Sequence, residues 1–175
     1  RPRQRKNLKG CDYEMLSGLL EKEECKNCKY CCGFDKSDFW ETPAFSEKAV
    51  EEIRKSKPET CFTKYGNMYK WTAGDFEGIK ECPALTENGC SLGDEEKPFE
   101  CRIWPFRLMR LSDNSLCIAV SSDCKTMMEK PIGKIRNFLY DKLDPAFLFG
   151  MAEKYPEIVK DYDGSYCLLM TESNY

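Results

Sequence analysis

Apolar residues recur at helical spacing over residues 12–24, where Met15, Leu16, Leu19 and Leu20 line one side and Glu14, Glu21 and Glu24 fall outside it. This predicts a helix leading into a run of cysteines. A second helix is expected over residues 47–55: Ser46 can cap it, Val50 and Ile53 point inward, and Lys57-Pro58 ends it. Between residues 61 and 79 aromatic and polar positions alternate (Phe62, Tyr65, Met68, Tyr69, Trp71), with turn signals at Gly66-Asn67 and Gly74-Asp75, so short antiparallel strands follow. A further hairpin is expected from residues 107–111 and 116–120 around Asp113-Asn114. Ile132, Ile135, Phe138 and Leu139 then predict a helix over 132–143, and Phe147, Leu148 and Met151 continue the pattern over 145–154 after Asp144-Pro145. Residues 166–171 are apolar and strand-like.

These elements amount to an α+β fold: a small cysteine-rich domain of short antiparallel strands and loops, flanked by N- and C-terminal helices. At 175 residues the chain can bury a real core as one domain. Residues 1–10, with Arg1, Arg3, Arg5, Lys6 and Lys9, read as a basic flexible arm, either a solvated tail or an arm that touches an acidic partner or a phosphate backbone. Residues 11–175 form the domain, with a motif region over 22–126 and a helical extension over 127–175.

Composition narrows the function classes. Hydrophobic residues at 41% and aromatics at 13% suit a globular protein, and a net charge of −3 argues against a chain that coats nucleic acid. The longest apolar run, residues 146–152, is too short to span a bilayer, and no secretory signal is visible. A soluble, cytoplasmic protein is expected, with neither membrane nor nucleic acid as partner.

The chemistry lies in twelve cysteines and no histidine. Cys25, Cys28, Cys31 and Cys32 fall within eight residues, a clustering that suits metal capture better than a disulfide framework or reduced structural thiols. A thiolate is a soft ligand, and short spacings let one backbone segment present several sulfurs to a Zn²⁺ or an iron–sulfur cluster. In a helix, Cys25, Cys28 and Cys32 would share a face and Cys31 would point away; in an extended knuckle Cys31 and Cys32 still diverge. The adjacent pair is thus suited to two different centres. Downstream come Cys82-Pro83-Ala84-Leu85, Gly89-Cys90-Ser91 and Lys97-Pro98-Phe99-Glu100-Cys101-Arg102, where Pro and Gly turn and stiffen the backbone around each sulfur. Cys124 falls at the expected N-cap of a helix, where amide groups and the dipole favour a thiolate.

In order and setting these motifs, with Trp104-Pro105-Phe106, resemble the CxxCxxCC cysteine-cluster (YkgJ-like) family of zinc- or iron-chelating proteins over residues 22–126. The resemblance implies metal binding. The family has a cysteine after its C-R-x-x-P segment, for which Cys124 is the candidate and Cys117 the rival. Lys97-Pro98 stands where Arg-Pro is common, and Gly93 where Tyr often follows Gly-Cys-Ser. Some larger relatives are flagellin lysine N-methylases. The eleven glycines here are scattered and form no nucleotide-binding loop, so methyl transfer rests on analogy alone.

The metal ligands expected are therefore Cys25, Cys28, Cys31, Cys32, Cys82, Cys90, Cys101 and Cys124, as two four-cysteine centres or as one centre with spare thiols. Four thiolates around Zn²⁺ or a [4Fe–4S] cluster leave net negative charge, which Lys26, Lys29, Arg102 or Arg107 could offset; Arg102, next to a ligand cysteine, is the favoured cofactor-binding cation. Tyr30, Phe34, Trp104 and Phe106 would shield a cluster or simply build core. Cys11, Cys61 and Cys167 fit no motif. Three functions follow: an iron–sulfur protein with a redox or electron-transfer role, which is preferred; a zinc-binding module for a protein partner; or a cluster-dependent enzyme.

Overall fold

The computed structural model describes residues 15–21, 24, 28 and 30–175. The basic arm, Cys11, Cys25, Lys26, Lys29 and residues 12–14, 22 and 23 of the first predicted helix lie outside them. Where that helix is described it ends early. Met15 and Leu16 are helical, Gly18 takes φ +88°, and the amides of Leu19 and Leu20 both donate to Leu16 O at 3.0 Å. A left-handed glycine closes a helix in this way, because it lets the last carbonyls be satisfied locally. The leucine spacing predicted one helix through residue 24, but Leu16, Leu19 and Leu20 are buried from either side of the turn.

The first structural layer is a three-stranded antiparallel sheet, β2 (Ala44–Phe45), β4 (Met68–Trp71) and β3 (Phe62–Tyr65), in the order β2-β4-β3. Helix α1 (Glu47–Ser56) starts where expected, with Ser46 Oγ accepting from Ala49 N at 3.2 Å. It buries Ala49, Val50 and Ile53 against Phe45 and Trp71, each larger side chain contributing about 1.5–3 kcal/mol by leaving water. The β3–β4 turn is Gly66-Asn67, with Gly66 at φ +57°. A Cβ there would come within 2.3 Å of Glu157 Oε1, the atom that accepts from Asn67 N at 2.7 Å, so the turn must be glycine both for its backbone angle and for space.

The second layer is a four-stranded sheet in the order β10-β8-β9-β11, from β8 (Phe106–Arg110), β9 (Leu116–Ser121), β10 (Lys160–Asp161) and β11 (Tyr166–Thr171). The predicted hairpin is β8–β9, antiparallel, with Asn114 at φ +70° in its turn. Phe106, Leu108, Ile118 and Val120 face one side, where α4 (Ile132–Phe138) and α5 (Pro145–Lys154) cover them with Ile135, Leu139 and Leu148. The alternate residues Met109, Cys117 and Ala119 are buried on the other side with Tyr166. Residues 127–175 therefore supply helices and also two strands; β10 runs parallel to β8, with Lys160 opposite Met109. Several two-residue ladders complete an α+β fold. Among the described residues, no helix is long and apolar enough to cross a membrane.

One buried carboxylate ties these layers together. Glu100, 2% exposed on α2 (Phe99–Ile103), accepts at Oε1 from Arg107 Nη1 on β8 and Lys160 Nζ on β10, both at 3.0 Å. Its Oε2 accepts from Ala44 N on β2 at 2.6 Å. Glu100→Gln would leave two buried cations facing a neutral amide, and is expected to lower the unfolding free energy in urea by about 3–5 kcal/mol. A loss of only about 1 kcal/mol, the size of an exposed pair, would show that this carboxylate does not hold the layers together.

Candidate metal centre

Cys32 ends a 3₁₀ turn (Tyr30–Cys32) immediately before β1 (Gly33–Phe34), which pairs antiparallel with β5 (Lys80–Glu81). The amide of Cys82 donates to Cys32 O at 2.7 Å, so the short ladder runs on to set these two cysteines side by side. Pro83 and Ala84 then turn the chain, with Leu85 N bonded back to Cys82 O at 2.9 Å. A tight hairpin of β6 (Leu85–Thr86) and β7 (Gly89–Cys90) pairs Leu85 with Cys90, and Ser91 N reaches Ala84 O at 2.8 Å. The hairpin thereby returns Cys90 to the neighbourhood of Cys82. Cys101 arrives from α2, whose first turn is closed by Cys101 N on Pro98 O at 2.9 Å. Cys101 was expected in a turned loop; it sits in a helix that spans much of the interval between Pro98 and Pro105.

The electrostatics of these thiols define a group. Burial pushes the Cys82 thiol up to about 12, and the sulfurs of Cys32 and Cys90 push in the same direction while Lys57 opposes. Burial also holds Cys101 well above the ordinary thiol range, with Cys82, Glu100 and Cys32 adding and Arg107 opposing. Like charges act this way only at close range. Cys82 thus lies within electrostatic reach of Cys32, Cys90 and Cys101, which come from separate pieces of chain.

A second group lies apart from the first. Cys124 is the N-cap residue of α3 (Lys125–Met128), as expected, yet its thiol is raised and not lowered: burial dominates, Cys28 and Glu24 add, and the Met127 amide only partly offsets them. A single turn of helix supplies too little dipole to outweigh desolvation. Among the described residues, Cys28 is thus within electrostatic reach of Cys124. Cys31 diverges from Cys32 as its position predicted, and borders a cavity of about 20 Å³ with Tyr30, Asp38, Glu41, Trp104 and Arg107. Asp38 Oδ1 and Arg107 Nε are buried there without a hydrogen-bond partner. Asp123, next to Cys124, lines the same cavity.

Cys117, the rival to Cys124, is buried on β9 opposite Met109, and burial alone pushes its thiol up to about 11. It packs with Ala119 and Tyr166. Cys61 and Cys167 are exposed. Arg102 is half-buried on α2, while the cation that opposes the shift of Cys101 is Arg107. The Arg107 side chain is 6% exposed, lies 5.0 Å over the Trp104 ring, and donates from Nη2 to Glu41 O at 2.9 Å. Of the aromatics flanking the motifs, Phe34 and Phe106 are core, Trp104 shields Arg107, and Tyr30 is 52% exposed.

No disulfide joins the described cysteines. Among the described residues, no three cysteine or carboxylate side chains stand close enough together to hold a metal ion as they are arranged. The donor types and their grouping fit a thiolate-bound metal, and ligation would have to draw the sulfurs inward, as happens where metal binding is coupled to ordering of a site. Comparison with protein families, curated proteins and solved structures found no match.

The burial pattern predicts a reactivity order. In metal-free protein, Cys61 and Cys167 are expected to alkylate at least about ten-fold faster than Cys82 and Cys117, since a buried thiol is both inaccessible and protonated. Peptide mapping over a time course reads this directly, and equal rates would show that the region around Cys82 is open to solvent.

Proposed function

We propose that this chain is a cysteine-ligated metal protein in which Cys32, Cys82, Cys90 and Cys101 hold an iron–sulfur cluster, a [4Fe–4S] centre, serving a redox or electron-transfer role. The observation that carries the reading is that Cys32, Cys90 and Cys101, from separate stretches of chain, all lie within electrostatic reach of the buried Cys82, with the buried cation Arg107 acting on Cys101. Sulfurs brought together from distant points in the chain, in a domain with no disulfide among its described cysteines, make sense as ligands. Cys28 and Cys124, with Cys31 and Cys25, form the ligand set of a second centre. The sequence order of all eight, and its resemblance to the CxxCxxCC family, point the same way.

The cluster would supply one-electron chemistry. The protein's own part is to position the sulfurs, to exclude water through the burial of Cys82 and its surroundings, and to hold the Arg107 guanidinium against the negative charge of the ligand set. A structural zinc site for a protein partner is the alternative. It is favoured by the thinness of the local scaffold: β1, β5, β6 and β7 have two residues each, too little to fix a shape without a clamp.

Protein purified without oxygen is expected to be brown, with iron and acid-labile sulfide in near-equal amounts. Cys82→Ser and Cys101→Ser are expected to lose the absorbance and most of the iron, while Cys61→Ser and Cys167→Ser retain both. Colourless protein holding zinc would replace the first reading with the second, and metal content unchanged in Cys82→Ser and Cys101→Ser would overturn the ligand assignment.

A further inference from the structure

Away from the cysteines, a groove of about 690 Å³ opens between the two sheets, within the size range of small-molecule sites. Its walls are aromatic and apolar: Phe39, Trp40, Tyr65, Trp71 and Val159. Trp40 and Tyr65 are 38% and 44% exposed, unusually open for such large side chains. Lys70, on the central strand β4, projects into it, and Lys160 and Thr42 lie beside it.

The arrangement of charge at this point is unusual. Lys70 Nζ and Lys160 Nζ both donate to the same acceptor, Thr42 O, at 2.8 and 2.9 Å. Lys160 has Glu100 as counter-ion at 3.0 Å, and Arg107 shares that carboxylate. Lys160 and Arg107 thus share one carboxylate, and among the described residues Lys70 has no carboxylate in hydrogen-bond contact. Of the remaining groups that face the groove, Asp161 and Asp163 are exposed at its rim, and Asp163 Oδ1 is taken up by the Ser165 amide and hydroxyl at 2.9 and 2.6 Å. Tyr65 presents its ring, 5.4 Å from Lys70 Nζ. Burial first, then the fields of Lys160 and Arg107, lower the Lys70 ammonium to about 7, with Glu100 opposing. An amine desolvated next to a second cation is the arrangement that makes a lysine nucleophilic at neutral pH.

We propose that Lys70 is a nucleophilic amine that forms an imine with an aromatic aldehyde or ketone seated in this groove. The step is redox-neutral and needs no co-reactant. The neutral Nζ adds its lone pair to the carbonyl carbon as the C=O π pair moves to oxygen; the oxygen takes a proton from the Lys160 ammonium and the nitrogen returns one of its two to the Lys160 amine, giving a carbinolamine. The carbinolamine hydroxyl then takes a second proton from the Lys160 ammonium and leaves as water, and the second N–H proton returns to Lys160, leaving the C=N bond. The Lys160 ammonium, held at the same carbonyl as Lys70, is the adjacent proton donor to that oxygen. The aromatic walls supply stacking for a planar carbonyl compound, and the rim carboxylates Asp161 and Asp163 disfavour an anionic one.

The test uses the full chain, 4-methoxybenzaldehyde, which stays neutral over the pH range used, and sodium cyanoborohydride, which converts an imine to a stable secondary amine, read by intact mass and peptide mapping. At pH 7 Lys70 is expected to be modified at least about ten-fold faster than any exposed lysine, because an ordinary lysine is almost wholly protonated there. Its rate should rise with pH through about 7 and then level, while exposed lysines keep gaining up to about 10. Lys70→Arg keeps the positive charge and should remove the fast adduct alone. Modification spread over exposed lysines with Lys70 no faster would overturn the proposal, and equal rates at Lys70 with acetaldehyde would overturn the aromatic ligand class.

Discussion

The Glu100 carboxylate is the interaction on which the rest of the arrangement depends. It accepts from a strand amide in one sheet and from cations on two strands of the other, so three elements distant in sequence are fixed to α2 through two oxygen atoms. Such a group is costly to bury alone and rewards complete pairing, which makes the geometry around it strongly determined. Cys101 is the next residue on α2, so the same contacts that lock Glu100 in the interior also fix where that sulfur lies.

The surplus of positive charge around Glu100 then divides the neighbourhood into two environments. Arg107 turns toward the cysteines, stacked on Trp104 and close enough to Cys101 for each to favour the other's charged form. Lys160 takes the remaining carboxylate contact. Lys70 receives only a carbonyl, and the aromatic groove is the one direction in which its side chain meets space. The surroundings of Cys101 on one side of Glu100 and of Lys70 on the other thus both depend on how this one carboxylate is shared.

Much of the fold was legible because its signals are local. Ser46 with Pro58, the Gly66-Asn67 turn, the hairpin around Asn114 and the Asp144-Pro145 start each need only a few neighbouring residues to act, and each element stands where those residues put it. What escaped was non-local. Nothing near Lys160 or Asp161 announces a strand, since its pairing partner Met109 lies far back in the chain. Nothing adjacent to Glu100 or Lys160 marks either as buried, and only their convergence with Arg107 explains their burial. The leucines of the first helix had the right spacing and the right burial, but Gly18 broke the backbone between them. The same limit applied to the cysteines: local stereochemistry required Cys31 and Cys32 to part, whereas the β1–β5 ladder and the Cys90 hairpin decided that Cys32 should join Cys82 and Cys90. Arg102 was preferred because it is adjacent in sequence to Cys101, whereas Arg107, six residues on, reaches Cys101 through the fold.

The state of the thiols also explains how such a site coexists with a folded domain. Buried cysteines whose desolvation outweighs every other influence fold as neutral groups, and neutral thiols behave as small apolar side chains, so Cys82 can serve in the core with Trp71 and Phe45. Four thiolates in the same space would repel one another, with Lys57 and Arg107 offsetting only part of their charge. Cation binding and loss of the thiol protons must therefore occur together, since neither is favourable alone. In this arrangement the apolar packing of α1 and the first sheet carries the fold, and the charge of the proposed centre would be created only if a metal bound to neutralise it.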